Sequence, residues 1–271
     1  MREQLLTIDR LTIAYDAPDV QDTVILDSAS CSLWKDEVHF LMGPNGSGKT
    51  SVFRTLLGLQ DPERVFIRLP NKDRRISGKE LTRVIRLSYI SQFPSECMVP
   101  VMSIIENLYL RSVLMDCRNF RHPLEWLRKV SKRNHVGAFA ERLSAFGQAE
   151  GILRGRSHDP YWTFSGGELQ ILNLAAAMSV DVDLLVMDEP TGKLDKNNRL
   201  AFWNSLADLL LVRRTTILST THEESFRDSR IVALPHSILA IENGKIRVVR
   251  QYAGQTLERT PHAAGGNATV P

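Results

Sequence analysis

Gly43-Pro44-Asn45-Gly46-Ser47-Gly48-Lys49-Thr50 is the stretch whose reading decides the fold. It has the spacing G-x-x-x-x-G-K-[ST] and follows the apolar run Phe40-Leu41-Met42, which predicts a buried strand entering a glycine-rich turn and leaving as a helix. Such a turn points several backbone N–H groups and a helix N-terminus at a single anion, which makes it a phosphate cradle. Gly43, Gly46 and Gly48 are expected to supply positive φ values and close approach, Lys49 to reach the β and γ phosphates, and Thr50 to offer its hydroxyl to Mg²⁺. Average residue usage produces this pattern by chance in on the order of one chain in a hundred of this length. The helix is expected to continue through Ser51-Val52-Phe53-Arg54-Thr55-Leu56-Leu57-Gly58-Leu59 and to stop by Pro62.

Upstream of the loop, Leu6, Ile8, Leu11, Ile13 and Tyr15 read as one or two strands, and Thr23 to Asp27 as another, so antiparallel β-structure is expected ahead of the cradle. Tyr15 ends the first run, where its ring can stack on a nucleotide base or simply cap a strand end. Downstream, Val65 to Leu69 and Val84 to Ile90 read as strands, the second running into Gln92. Gln92 can reach Mg²⁺ or an attacking water, although a glutamine in such a loop is usually plain surface.

Between Ser103 and about Gly155 the pattern becomes helical, with Ser103 and Glu106 as a capping pair and apolar residues at Leu110, Leu114, Trp126, Leu127, Phe139, Leu143 and Phe146. This predicts an inserted helical unit. Its basic run, Arg128 to His135, has no interleaved aromatics and reads as a solvated helix face, so a nucleic-acid contact is not expected there. Phe164-Ser165-Gly166-Gly167-Glu168 then opens an apolar helix from Leu169 to Met178. Paired glycines at a helix start, with Ser165 as an added donor, make a second anion site, and the same residues form a capping box.

Asp183 to Thr191 reads as a buried parallel strand ending in Asp188, Glu189 and Pro190. Asp188 can hold Mg²⁺ through a water and Glu189 can polarise the water that attacks a γ-phosphate, at the strand end where open α/β sheets carry their chemistry. After the turn Gly192-Lys193-Leu194-Asp195 comes a helix, roughly Asn197 to Leu211. The strand Thr215 to Thr221 then delivers His222, which can contact the γ-phosphate and orient the water. Ile231 to Leu234, Ile238 to Ile241 and Ile246 to Val249 read as short β segments, with an Asn243-Gly244 hairpin turn. From Ala253 to Pro271 the Gly/Ala/Thr/Pro composition predicts a disordered tail.

The 271 residues, 43% of them hydrophobic, suffice for a substantial core, and a formal charge of +3 argues for neither nucleic acid nor an acidic membrane as an obligatory partner. Cys31, Cys97 and Cys117 lack metal-ligand spacing and fit reduced thiols in a cytosolic protein. No run approaches the roughly 18 apolar residues of a membrane span, so any membrane role is expected to be borrowed from another chain.

With these motifs in this order, the chain from about residue 5 to 250 resembles the ATP-binding-cassette (ABC) nucleotide-binding domains. The resemblance implies an α/β P-loop NTPase: a RecA-like core sheet, an antiparallel β subdomain and a helical subdomain inserted at about 103–160, within a cassette spanning 1–252. It implies that Gly43, Pro44, Asn45, Gly46, Ser47, Gly48, Lys49, Thr50 and Ser51 hold ATP as the Walker A loop, and that Tyr15 stacks on the base. Gln92 resembles the Q-loop glutamine, Leu184 to Glu189 Walker B, and His222 the switch histidine. The implied catalytic set is Glu189, His222, Gln92 and Lys49, with Thr50, Gln92 and Asp188 toward Mg²⁺. Ser165, Gly166, Gly167 and Glu168 resemble the signature and Asp195 the D-loop. In this family they complete the site of a second domain, a homodimer mate or a paralogue, paired head to tail.

Phe164 and Glu168 depart from the usual Leu-Ser-Gly-Gly-Gln, and Ile171 stands where many members carry an arginine, so an interface or sheet-supporting contact is expected to be missing. The resemblance further implies separate transmembrane permease subunits and a position on the cytoplasmic face of the inner or plasma membrane. Pro190 to Asp195 resembles the lipoprotein-release and macrolide-export branch, whereas Met102 to Leu108, with Leu172 to Met178, resembles certain importer ATPases, which leaves direction and substrate open. A non-transport ATPase of the same superfamily, in DNA repair, chromosome organisation or translation, is the alternative. Too little chain separates Lys49 from Ser165 for long coiled-coil arms, and only one cassette is present. A small-molecule P-loop kinase leaves Ser165 to Glu168 unexplained.

Overall fold

A computed structural model describes residues 2–17, 20–60, 64–70, 75–93, 95, 98–116, 139, 143, 147–221 and 225–254. His222, Trp126, Leu127, Phe146, the basic run 128–135, Cys97, Cys117 and the tail from 255 lie outside them.

The elements in order are β1 (Gln4–Ala17), β2 (Val20–Trp34), β3 (Val38–Met42), α1 (Lys49–Leu56), β4 (Arg64–Arg68), α2 (Gly78–Val84), β5 (Leu87–Ile90), α3 (Ile104–Asp116) and α4 (Gly147–Leu153). They are followed by α5 (Gly166–Met178), β6 (Leu184–Met187), α6 (Lys196–Val212), β7 (Thr216–Thr220), β8 (His236–Glu242) and β9 (Lys245–Tyr252). A three-stranded antiparallel sheet, β2-β1-β4, packs beside a six-stranded sheet of order β5-β6-β7-β3-β8-β9, parallel except for β9.

Strands β3, β6, β7 and β8 are largely buried because both their faces are covered; β6 is apolar at every position, while the others also bury polar residues, His39 in β3, Thr216, Ser219 and Thr220 in β7, and His236 and Ser237 in β8. Alternate residues divide between two cores. Leu41, Leu184, Val186, Leu218 and Leu239 pack with α1 and the antiparallel sheet through Val52, Phe53, Leu6 and Ile8. Phe40, Leu185, Met187, Ile217 and Ile238 pack with α5 and α6 through Leu174, Met178, Phe202 and Trp203. A third core joins Ile104, Ile105, Leu108 and Tyr109 of α3 to Phe139, Leu143 and Leu153, and to Leu169, Leu172 and Ala176 of α5. Helix α5 is thus sandwiched between sheet and helical layer, which is why it is apolar on every side rather than amphipathic.

Two expectations need correction. Val84 belongs to α2, not to a strand that begins only at Leu87. The Ser77–Glu80 capping box starts a helix there, and Gly78 admits close contact with α1, since a Cβ would stand 1.8 Å from the Thr55 carbonyl oxygen. Ile231 to Leu234 is likewise not a β segment. Arg230–Ala233 forms a 3-10 turn that buries Ile231, and a run this short and apolar suits either geometry. The 243–244 turn is as expected, with Asn243 at φ 49 and Gly244 at φ 72, the left-handed pair of a two-residue hairpin.

Candidate nucleotide site

The glycine-rich loop joins β3 to α1. Gly46 (φ 79) and Gly48 (φ 99) occupy left-handed backbone that a side chain would strain. Gly43 does not share it, contrary to expectation. Its lack of a side chain is needed for space, because a Cβ would stand 2.7 Å from Ser47 Oγ and 3.3 Å from Ile241 Cβ. Helices α2, α5 and α6 are capped by the side chains of Ser77, Ser165 and Asp195, whereas α1 starts at Gly48 with no side-chain cap. Its first N–H groups therefore lack a side-chain acceptor and are open to an anion. Ser47 Oγ is buried without a partner, and Lys49 Nζ donates to the loop carbonyls of Gly43 (2.8 Å) and Pro44 (3.0 Å), which holds the ammonium over the loop.

Alongside the loop lies a cleft of about 540 Å³ lined by Val24 and Ile25 of β2, by Pro44, Gly46 and Ser47, and by residues 241–244. It is a volume suited to a small-molecule ligand. The backbone of Tyr15 pairs with Thr23, the residue before the cleft-lining Val24.

The strand order puts β7 between β3 and β6, and the polar groups converge at their carboxyl ends. Thr50 Oγ1 donates to Asp188 Oδ2 at 3.0 Å, and Thr220 Oγ1 donates to Asp188 Oδ1 at 2.8 Å. Gln92 Nε2, past the end of β5, donates to Glu189 Oε2 at 3.2 Å. Glu189 has φ 43, an uncommon value for a non-glycine residue, and its N–H donates to Thr220 Oγ1 at 2.8 Å. The four sequence candidates Thr50, Gln92, Asp188 and Glu189 thus come together, while β7 ends two residues before His222.

Three supporting residues escaped the sequence reading. Buried Gln170 of α5 donates to the carbonyls of both Ser91 (3.0 Å) and Pro190 (2.9 Å), tying together the loops that carry Gln92 and Glu189. A glutamine in an otherwise apolar stretch was the available signal. A guanidinium from α3 reaches the sheet edge beside α5, where Ile171 supplies none. Arg111 donates to Asn173 Oδ1 (3.1 Å) and to the Tyr89 carbonyl of β5. Thr220 is the third.

At the start of α5, Ser165 Oγ accepts from the Glu168 N–H (3.2 Å), and Glu168 Oε2 accepts from the Ser165 N–H (2.7 Å). Arg156 donates to Glu168 Oε1 (2.8 Å) and to the Thr163 carbonyl (2.9 Å), and lies 4.1 Å over the Phe164 ring. Partial burial opposes the charge of Glu168, but the Ser165 N–H and the Arg156 guanidinium outweigh it and hold the carboxyl below its usual range. Gly166 faces open space. A Cβ on Gly167 would meet Asn198 at 2.7 Å. Asp195 spends its carboxylate within the chain, capping α6 through the N–H groups of Asn197 (2.9 Å) and Asn198 (3.0 Å).

A mostly parallel sheet covered on both faces, with a glycine-loop helix free of a side-chain cap and paired acids after the strand next but one, defines a P-loop nucleotide hydrolase. The sequence profile of the family described as "ABC transporter" matches residues 26–192. The Nod factor export ATP-binding protein I of Paraburkholderia xenovorans is 31% identical over 90% of this chain and 70% of its own length. The aliphatic sulfonates import ATP-binding protein SsuB of Granulibacter bethesdensis is 30% identical over 81% of this chain and 77% of its own length. Two further Nod factor export relatives are matched over 66% and 61% of their lengths. Among solved structures, a nucleotide-free ATP-binding cassette from an ABC transporter aligns with TM-score 0.68 and 20% identity over 93% of this chain and 92% of its own. A dimeric bacterial ABC transporter cassette aligns with TM-score 0.66 and 20% identity over 92% of this chain and 98% of its own. The chain belongs to the ABC transporter family, as one of its ATP-binding, ATP-hydrolysing subunits. Among the described residues no helix is long and apolar enough to cross a membrane.

Proposed function

We propose that this chain powers transport by closing with a second nucleotide-binding domain, a copy of itself or a paralogue, over bound MgATP. It does so beneath transmembrane permease subunits on the cytoplasmic face of the membrane. The observation that carries the ATPase part is the convergence of Thr50, Gln92, Asp188 and Glu189 from separate elements beside a helix start left without a side-chain cap. Residues 43–51 hold the phosphates, with Lys49 on the β and γ groups, and Tyr15 stacks on the base. Thr50, Asp188 and Gln92 suit Mg²⁺, a hard cation that takes few protein oxygens and keeps water and phosphate oxygens as its other ligands. When bound, Mg²⁺ supplies positive charge to the phosphate oxygens.

Glu189 takes the proton of the attacking water as general base, Gln92 holds that carboxylate in place, and His222 orients the water. Ser165, Gly166, Gly167 and Glu168 of the second domain close over the γ-phosphate, with Asp195 at the same seam. The cassette occupies 1–252, with the helical subdomain at about 103–160. Both an exporter and an importer subunit are among the relatives, and what they share is ATP-driven transport. Affinity purification of the full-length chain from detergent-solubilised membranes tests the transport reading. A multi-span membrane protein should co-elute, and recovery with a nuclease or chromosome-associated partner instead overturns it.

The signature end carries its own prediction. An anion-binding helix start that bears a glutamate is weakened by like charge unless that charge is offset, and Arg156 offsets it. Arg156→Ala should raise the ATP concentration for half-maximal turnover by roughly two- to fivefold, and adding Glu168→Gln should recover most of that loss. A double variant as impaired as Arg156→Ala alone would show that Arg156 acts through packing on Phe164.

A further inference from the structure

Three consecutive hydroxyl residues end β7 and lead toward His222, and they point in different directions. Ser219 Oγ donates to the Thr220 carbonyl (3.2 Å), Thr221 pairs with Ser225, and Thr220, fully buried, turns its hydroxyl to the two acids of the neighbouring strand. The one hydroxyl proton goes to Asp188 Oδ1, and the oxygen accepts the Glu189 N–H, each at 2.8 Å.

We propose that Thr220 is a positioning residue for hydrolysis, a clamp that fixes the Asp188 carboxylate and the backbone turn presenting Glu189. The proposal rests on the reading of Asp188 and Glu189 given above and adds to it. Asp188 is gripped from both sides, by Thr50 Oγ1 of α1 on Oδ2 and by Thr220 on Oδ1, so its carboxylate plane cannot rotate. Glu189 leaves β6 through left-handed backbone at φ 43, and the bond from its N–H to Thr220 holds that conformation and keeps the side chain against Gln92 Nε2. Valine has the shape of threonine but neither function of the hydroxyl. It would leave the Glu189 N–H without its acceptor and Oδ1 free to turn.

The test uses the purified full-length chain and reads ATP turnover and equilibrium ATP binding for Thr220→Val, Thr220→Ala, Thr220→Ser and Glu189→Gln. Loss of the hydroxyl in Val or Ala should lower kcat by about 100-fold, the cost of misplacing a reacting group by an ångström or so, while ATP affinity changes less than about threefold. Thr220→Ser, which restores the hydroxyl, should stay within about threefold of the parent kcat. A near-parental kcat in the valine variant overturns the proposal, as does a serine variant as poor as valine or a loss of affinity equal to the loss of kcat. Glu189→Gln separates this proposal from the reading beneath it. Turnover that survives Glu189→Gln removes the general base itself, whereas turnover that survives Thr220→Val but not Glu189→Gln removes only the clamp.

Discussion

Replacing Glu189 with glutamine is expected to lower steady-state ATP turnover by about 10²- to 10⁴-fold, the range of a positioned general base, while ATP still binds. The amide keeps the size and the hydrogen-bonding reach of the carboxylate, and Gln92 Nε2, now 3.2 Å from Glu189 Oε2, can still donate to its oxygen. What it cannot do is take a proton. The site should therefore close and stay closed, and ATP-dependent dimer should accumulate on size exclusion with light scattering. Phosphate release unchanged from the parent chain would remove Glu189 from the mechanism. A variant that binds ATP and stays monomeric under saturating nucleotide would remove the head-to-tail closure, unless an unlike partner were shown to be required.

Lys49→Ala acts earlier. Its ammonium is held over the loop by two carbonyls of the loop itself, Gly43 and Pro44, so the charge is positioned before any phosphate arrives. A charge-assisted hydrogen bond is worth about 1.5–3 kcal/mol, and removing it should weaken ATP binding by about ten- to a hundredfold in Kd, measured by calorimetry or a fluorescent analogue. The same substitution also takes the brace from the loop, so affinity should fall even for ADP. Unaltered affinity for ATP would count against the phosphate-loop assignment. The two variants thus separate along the reaction, with Lys49→Ala losing binding and Glu189→Gln losing chemistry with binding retained.

Much of this was legible from local patterns. The loop from Gly43 to Thr50, the acids after β6 and the Ser165 start of α5 each follow from a few adjacent residues whose chemistry and backbone needs point the same way. The misreadings at Val84 and Ile231 share a cause: short apolar runs have no period long enough to separate strand from helical turn, and what decided them was a capping box at Ser77 and a buried side chain at Ile231. At Gly43 the expected close approach is what requires glycine and a positive φ is not, and the crowding by Ser47 and Ile241 is invisible until the loop is folded against β8.

By itself the sequence determined the family and the kind of site to look for, since the residues proposed as phosphate cradle, general base and anion-binding helix start each lie within a handful of consecutive positions. The tertiary structure alone decided how those pieces are held. Gln170 reaches carbonyls after β5 and β6, Arg111 reaches from α3 to the Tyr89 carbonyl of β5, and Thr220 bonds the Asp188 carboxylate and the Glu189 N–H from a strand between them and the loop. The physical reason is that each of these is a polar group taken from water, Gln170 and Thr220 fully and Arg111 in part, and its partner is set by which groups the sheet order and the packing of α5 bring within hydrogen-bond reach, across separations that no local pattern encodes.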